Sequence, residues 1–100
     1  MKLGRKPKHI HEVLMTAALA TARADGYQRM TRQSVALAAG CSQGQISLVF
    51  GTMPQLRRAV MRAAVARGDM VVLAQGLAAG DPVARGASVP VKRLALEALL

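Results

Sequence analysis

The sequence has no Trp, one Tyr and one Phe, so its 52% hydrophobic content is mostly Ala, Val, Leu and Met. Such side chains build a thin core, and small thin cores often need a staple, a metal or a partner subunit. The single cysteine excludes an internal disulfide. His9 and His11 stand two apart with no third ligand near in sequence, so no metal site is expected. Oligomerisation is the remaining device. Acids are scarce as well: the chain holds five, with no paired carboxylates, no nucleophile–base pair and no phosphate-binding loop. The expectation is therefore a non-enzyme without a cofactor. No run approaches the ~18 apolar residues of a membrane span, and no apolar signal core follows the basic N-terminus. A cytoplasmic place in a bacterium, or in a phage or plasmid system, is the expectation.

The charge that is present is unevenly placed. Residues 1–67 carry eleven Lys/Arg against two acids, whereas residues 68–100 carry three of each, so the whole net excess of +9 lies on the first two-thirds. A localised basic surface is what a polyanionic partner requires, and solubility alone needs no such asymmetry.

Three segments follow. Residues 1–8 hold four basic residues, a Gly and a Pro, and read as a flexible arm. Arg5, Lys6 and Lys8 of this arm suit an A·T-rich minor groove, where narrow width concentrates negative potential. Residues 9–67 read as four helices. The first has Ile10, Val13, Leu14, Ala17, Thr21 and Ala24 at helical spacing and stops at Asp25-Gly26, with Tyr27 and Met30 folding back onto it. Thr31 caps a short second helix to about Ala39. Gly40-Cys41-Ser42 breaks it, and Ser42 with Gln45 forms a capping box for a third helix. Thr52, with Pro54 in the first turn, starts a fourth, apolar along Leu56, Ala59, Val60, Ala63 and Ala64. Residues 68–100 read as a helical tail. Met70–Ala79 is apolar on almost every side, Gly80-Asp81-Pro82 is a stop and start, and Val91–Leu100 forms a last helix. The fold class is all-α: a three-helix helix-turn-helix domain, a fourth helix and a short dimerisation tail. Met70, Leu73, Leu77 and Leu94 are the expected dimer contacts.

A twenty-residue window from Arg32 meets the mechanical demands of a helix-turn-helix. Ala36 is small where two helices approach. Gly40 can take the positive φ of a tight turn, and Val35, Cys41, Ile46 and Val49 are apolar where the helices face the core. At Cys41, core filling is favoured over redox sensing. Ser42, Gln43, Gly44, Gln45, Ser47 and Leu48 are left facing outward. This face is polar, small and uncharged, and it suits hydrogen bonding to base edges in a major groove about 12 Å wide. Gln45 is divided between its capping role and base reading. Arg29, Thr31 and Arg32, at the start of the second helix, are placed for phosphate contacts.

From Ile10 to about Ala64 the chain resembles the N-terminal domain of the TetR family of bacterial repressors, through HEVLMTAALATARADGY, MTRQSVALAAGCSQGQISLVF and GTMPQLRRAV. The resemblance covers somewhat over half the chain. It implies three helices plus the start of a fourth, binding operator DNA as a dimer. The family usually has Tyr where this chain has Ser47 and Lys where it has Met53, both touching the phosphate backbone. Arginines of the fourth helix, or the arm, are expected to compensate. The family also continues for a hundred or more residues where this chain has about thirty, so a small-molecule inducer pocket is not expected. The reading is a homodimeric regulator, most simply a repressor, bound to a palindromic double-stranded DNA operator. The alternative is a protein-interaction adaptor using the same basic helical face.

Overall fold

A computed structural model describes the backbone of residues 7–99 and the side chains of residues 9–99. Arg5 and Lys6 lie outside the described residues. The described backbone is all-helical: α1 (Pro7–Asp25), α2 (Arg32–Ala39), α3 (Gln43–Phe50), α4 (Met53–Arg67), α5 (Met70–Ala79), α6 (Pro82–Arg85) and α7 (Val89–Glu97). One expectation changes at the outset. The first helix begins at Pro7, so Lys8 belongs to α1 rather than to a flexible arm. Proline is favoured at a first helical position because its missing N–H has no acceptor there anyway.

Local chemistry sets the other boundaries. Thr31, Ser42 and Thr52 each accept from the backbone N–H three residues on, and Ser34, Gln45 and Gln55 return the bond to the cap backbone. These are capping boxes, which satisfy two otherwise orphaned donors per helix start. Asp69, Asp81 and Ser88 cap α5, α6 and α7. Gly40 closes α2 at φ 70°, a left-handed conformation that a side chain would strain.

In the packing, α1 lies against α2, α4 and α5, and α3 bridges α2 and α4. The stripe on α1 is wider than, and rotated from, the expected one. Leu14, Met15, Ala18, Leu19 and Ala22 are buried, while Ala24 is exposed. The reason is that α1 is covered from two sides. Tyr27 and Met30 fold back into the core as expected.

The tail corrects a larger expectation. Helix α5 buries most of its apolar surface without a second copy, because α1, α4, α6 and α7 pack against it within one chain, although Val71 stays exposed and Leu77 only partly covered. Leu73 is fully buried there, with Val72, Ala74 and Gly76. It is a core residue and not a dimer contact. Met70 is half-buried against the same core. Head and tail are therefore one packed body, stitched further by polar contacts. Arg23 of α1 forms an ion pair with Asp69, the α5 cap. Tyr27 donates its phenol proton to Asp81 (3.2 Å), the α6 cap, and its backbone N–H to Gln75 Oε1 (3.1 Å).

Helices from distant parts of the chain approach closely at Gly76. A Cβ added there would meet Met61 Sδ at 2.8 Å and Ala84 Cβ at 2.9 Å. The methionine end can move, but an alanine Cβ has no rotamer to yield with. Gly76→Ala is therefore expected to destabilise the chain by about 1–3 kcal/mol through overpacking. Urea unfolding of the two proteins checks this, and equal midpoints would mean that α5, α4 and α6 are not packed at this distance.

Candidate functional site

Helix α3 is held by one face and presents the other. Ile46 is fully buried and Phe50 nearly so, and Val49 packs partly against the same core. The Phe50 ring lies 5.4 Å from the His11 ring of α1, tilted by 54°, which ties the end of α3 to the start of the first helix. On the opposite face Ser42, Gln43 and Gly44 are exposed, and Leu48 is 86% exposed. An apolar side chain that open on a short helix covers nothing of its own chain. Ser47 is half-buried beside them. Gln45 is also half-buried, and its Oε1 accepts from Ser42 N at 3.2 Å. One lone pair of its carbonyl is thus engaged by the cap, leaving the other and the amide N–H groups for any outside partner.

Cys41 sits half-buried in the turn against the core. Burial raises its thiol pKa, which lowers the fraction of reactive thiolate.

Beside α3, a cleft of about 320 Å³ opens where the start of α2, the first residue of α3 and the start of α4 converge. Met30, Thr31, Arg32, Gln33, Gln43, Met53 and Arg57 line it. Of the three residues expected at the start of the second helix, Thr31 and Arg32 reach the cleft, whereas Arg29 is exposed outside its lining. Arg32 is half-buried. Its Nη2 lies 3.5 Å from Gly51 O, at the limit of a hydrogen bond, and its Nε is buried with no partner.

Arg57 was not individually legible, although Met53 stands one helical turn before it. The general expectation of compensating helix-four arginines becomes specific here, since Arg57 is the one arginine of α4 in the cleft lining. Arg67 instead bonds Thr16 Oγ1 on α1 at 3.1 Å, and Arg58 and Arg62 are exposed. No acid stands between Asp25 and Asp69 in sequence, so the whole α2–turn–α3 unit and α4 carry only positive charge.

A second surface lies on the tail. Leu77, Val89, Lys92, Arg93 and Leu96 line a groove of about 430 Å³ between α5 and α7. Leu77 is thus where a partner could reach it. Leu94 is 55% exposed but is not in the groove lining, because a residue two positions from Leu96 lies about 200° round the helix. The expected set of Met70, Leu73, Leu77 and Leu94 therefore does not form one surface; the exposed apolar residues that share one are Val89 and Leu96, with Leu77 between them.

Among the described residues, no three His, Cys, Asp or Glu side chains gather as a metal site would require, and no helix is long and apolar enough to cross a membrane. No family model matches the chain, and no curated protein or solved structure matches it.

Tyr27 links this region to the tail and titrates accordingly. Burial, then the charge and hydrogen bond of Asp81, push its phenol above the usual 10, with Arg57 opposing in part. The folded chain thus holds this proton more tightly than the unfolded chain. The associated stability is complete below pH 10 and falls as pH rises from there through the raised pKa. Tyr27→Phe removes that dependence along with a hydrogen bond worth about 1 kcal/mol at neutral pH. Guanidinium unfolding at about pH 7 and about pH 11 should show the advantage of the wild type over Tyr27→Phe shrinking at the higher pH; a constant difference would mean that the phenol is not held neutral by the fold.

Proposed function

We propose that the chain is a sequence-specific DNA-binding regulator, most simply a repressor, that inserts α3 into a major groove as a helix-turn-helix. The observation carrying this reading is the face of α3 itself: Ser42, Gln43, Gly44 and Leu48 point away from a helix whose other side is anchored by Ile46 and Phe50. A helix about 10–12 Å across fits a groove about 12 Å wide. Gln43 can make two bonds to an adenine, Ser42 and Ser47 can donate or accept, and Leu48 can meet a thymine methyl. The acid-free surround supplies the sequence-independent attraction to phosphates. The TetR-like pattern of residues supports the same reading.

In this reading two copies bind a palindromic operator, because one short recognition helix reads only a few base pairs. The α5–α7 groove is the surface that supports pairing. Its apolar floor is Leu77, Val89 and Leu96, and the tail carries no net charge to oppose approach. Lys92 and Arg93 precede Glu97 on α7, so antiparallel meeting of two copies brings opposite charges together.

Selection of bound fragments from random duplexes, followed by sequencing, tests the reading. Recovery of a two-fold-symmetric motif is expected, and binding to acidic proteins but to no duplex would favour an adaptor instead. On the selected site, Gln43→Ala and Ser47→Ala should each cost about 1–3 kcal/mol of discrimination, while random-sequence binding stays nearly unchanged. Equal loss on both DNAs would remove these residues from base reading. Leu96→Asp changes an exposed residue and spares the core, so it should yield folded monomers by light scattering. A wild type that is already monomeric at micromolar concentration would end the dimer model.

A further inference from the structure

Two adjoining depressions on the tail share Leu77 and Lys92. One is the α5–α7 groove. The other, of about 630 Å³, is formed by the end of α5 with Arg85 of α6 and Lys92 of α7. On α7, Val89, Lys92, Arg93 and Leu96 recur at the i, i+3, i+4, i+7 spacing of one helix face. Val89 and Leu96 thus form an apolar line, with Lys92 on one flank and Arg93 on the other. Val89 is 63% exposed and Leu96 52%, so the line is open to solvent.

The charge here has one sign. Arg85, Lys92 and Arg93 line the two depressions and no carboxylate does. Lys92 Nζ donates to Arg85 O at 3.0 Å, which positions the ammonium without neutralising it. Among the described residues the one ion pair is Arg23 with Asp69. A second copy matches this surface poorly. Of the tail's three acids, Asp69 caps α5 and pairs with Arg23, and Asp81 caps α6 and accepts from Tyr27. Only Glu97 remains, one carboxylate against three cations in the facing copy. A nucleic-acid strand brings charge but no apolar row for Leu77, Val89 and Leu96. An amphipathic helix rich in Asp and Glu brings both, because its apolar residues share one face and its acids flank that face.

We infer that this tail surface docks an acidic amphipathic helix of another protein, which competes there with the second copy and so separates the paired regulator. The docking stands apart from the DNA-binding reading, whereas the competition rests on the pairing proposed with it.

The test is fluorescence anisotropy of the full-length protein with a labelled peptide of about five helical turns, carrying Leu along one face and Glu on both flanks. Binding is expected, weaker by about tenfold or more when Ser replaces the Leu residues and lost when Lys replaces Glu. Arg93→Glu and Leu96→Asp, both at exposed positions, should each weaken it by about tenfold. Arg62→Glu, an exposed change on α4, should leave it within about twofold of the wild type. No binding by the wild type overturns the docking site. So does an equal loss in Arg62→Glu and Arg93→Glu, which would trace the attraction to the basic first two-thirds of the chain. Binding of phosphatidylserine vesicles through Leu96, with no peptide bound, overturns it in favour of a lipid surface. Light scattering then reads the competition: saturating peptide should convert paired protein to monomers, and pairs that persist with peptide bound overturn that part alone.

Discussion

With almost no aromatic volume to fill space, the helices of this chain have to meet nearly backbone to backbone. Ala18, Ala22, Ala36, Ala64, Ala74, Ala84 and Ala95 are all buried, and Gly76 lies where even a methyl group would collide with Ala84. Small residues at the crossings leave the larger ones, such as Leu14, Ile46, Leu56 and Leu73, fully buried. Everything else depends on this close approach, because interiors packed at crystal-like density transmit position rather than absorb it. The exposed face of α3 is oriented only because Ile46 and Phe50 are fixed beneath it.

The same economy governs charge. Three acids sit in the tail, and two of them, Asp69 and Asp81, cap a helix while also engaging a residue of the first two-thirds, Arg23 and Tyr27 respectively. Each cap therefore serves both as a local helix start and as a link between regions distant in sequence. The cost falls on the basic side: having spent its acids there, the chain leaves Arg32 and Arg57 uncompensated in a cleft beside α3. Scarcity of acids between Asp25 and Asp69 thus makes one face of the molecule receptive to anions.

What the sequence by itself determined was local. Helix starts at Thr31, Ser42 and Thr52 were legible because capping depends on side chains three residues apart. The left-handed Gly40 and the inward placement of Val35 and Ile46 were legible because helical periodicity and turn geometry are short-range. Of the outward set on α3, Ser42, Gln43, Gly44 and Leu48 followed from the same periodicity, whereas Gln45 and Ser47 are half-buried. What only the tertiary structure decided was which faces meet. Periodicity cannot say that α1 is covered from two sides, that four helices of the same chain pack against α5 and leave Leu73 buried, or that Leu77 shares a groove with Val89 and Leu96 rather than with Leu94. Nor can it bring Arg57 to Arg32 across 25 residues of chain. Those outcomes depend on how helices cross, and crossing is set by the shapes of surfaces that the sequence brings together only once the chain is folded.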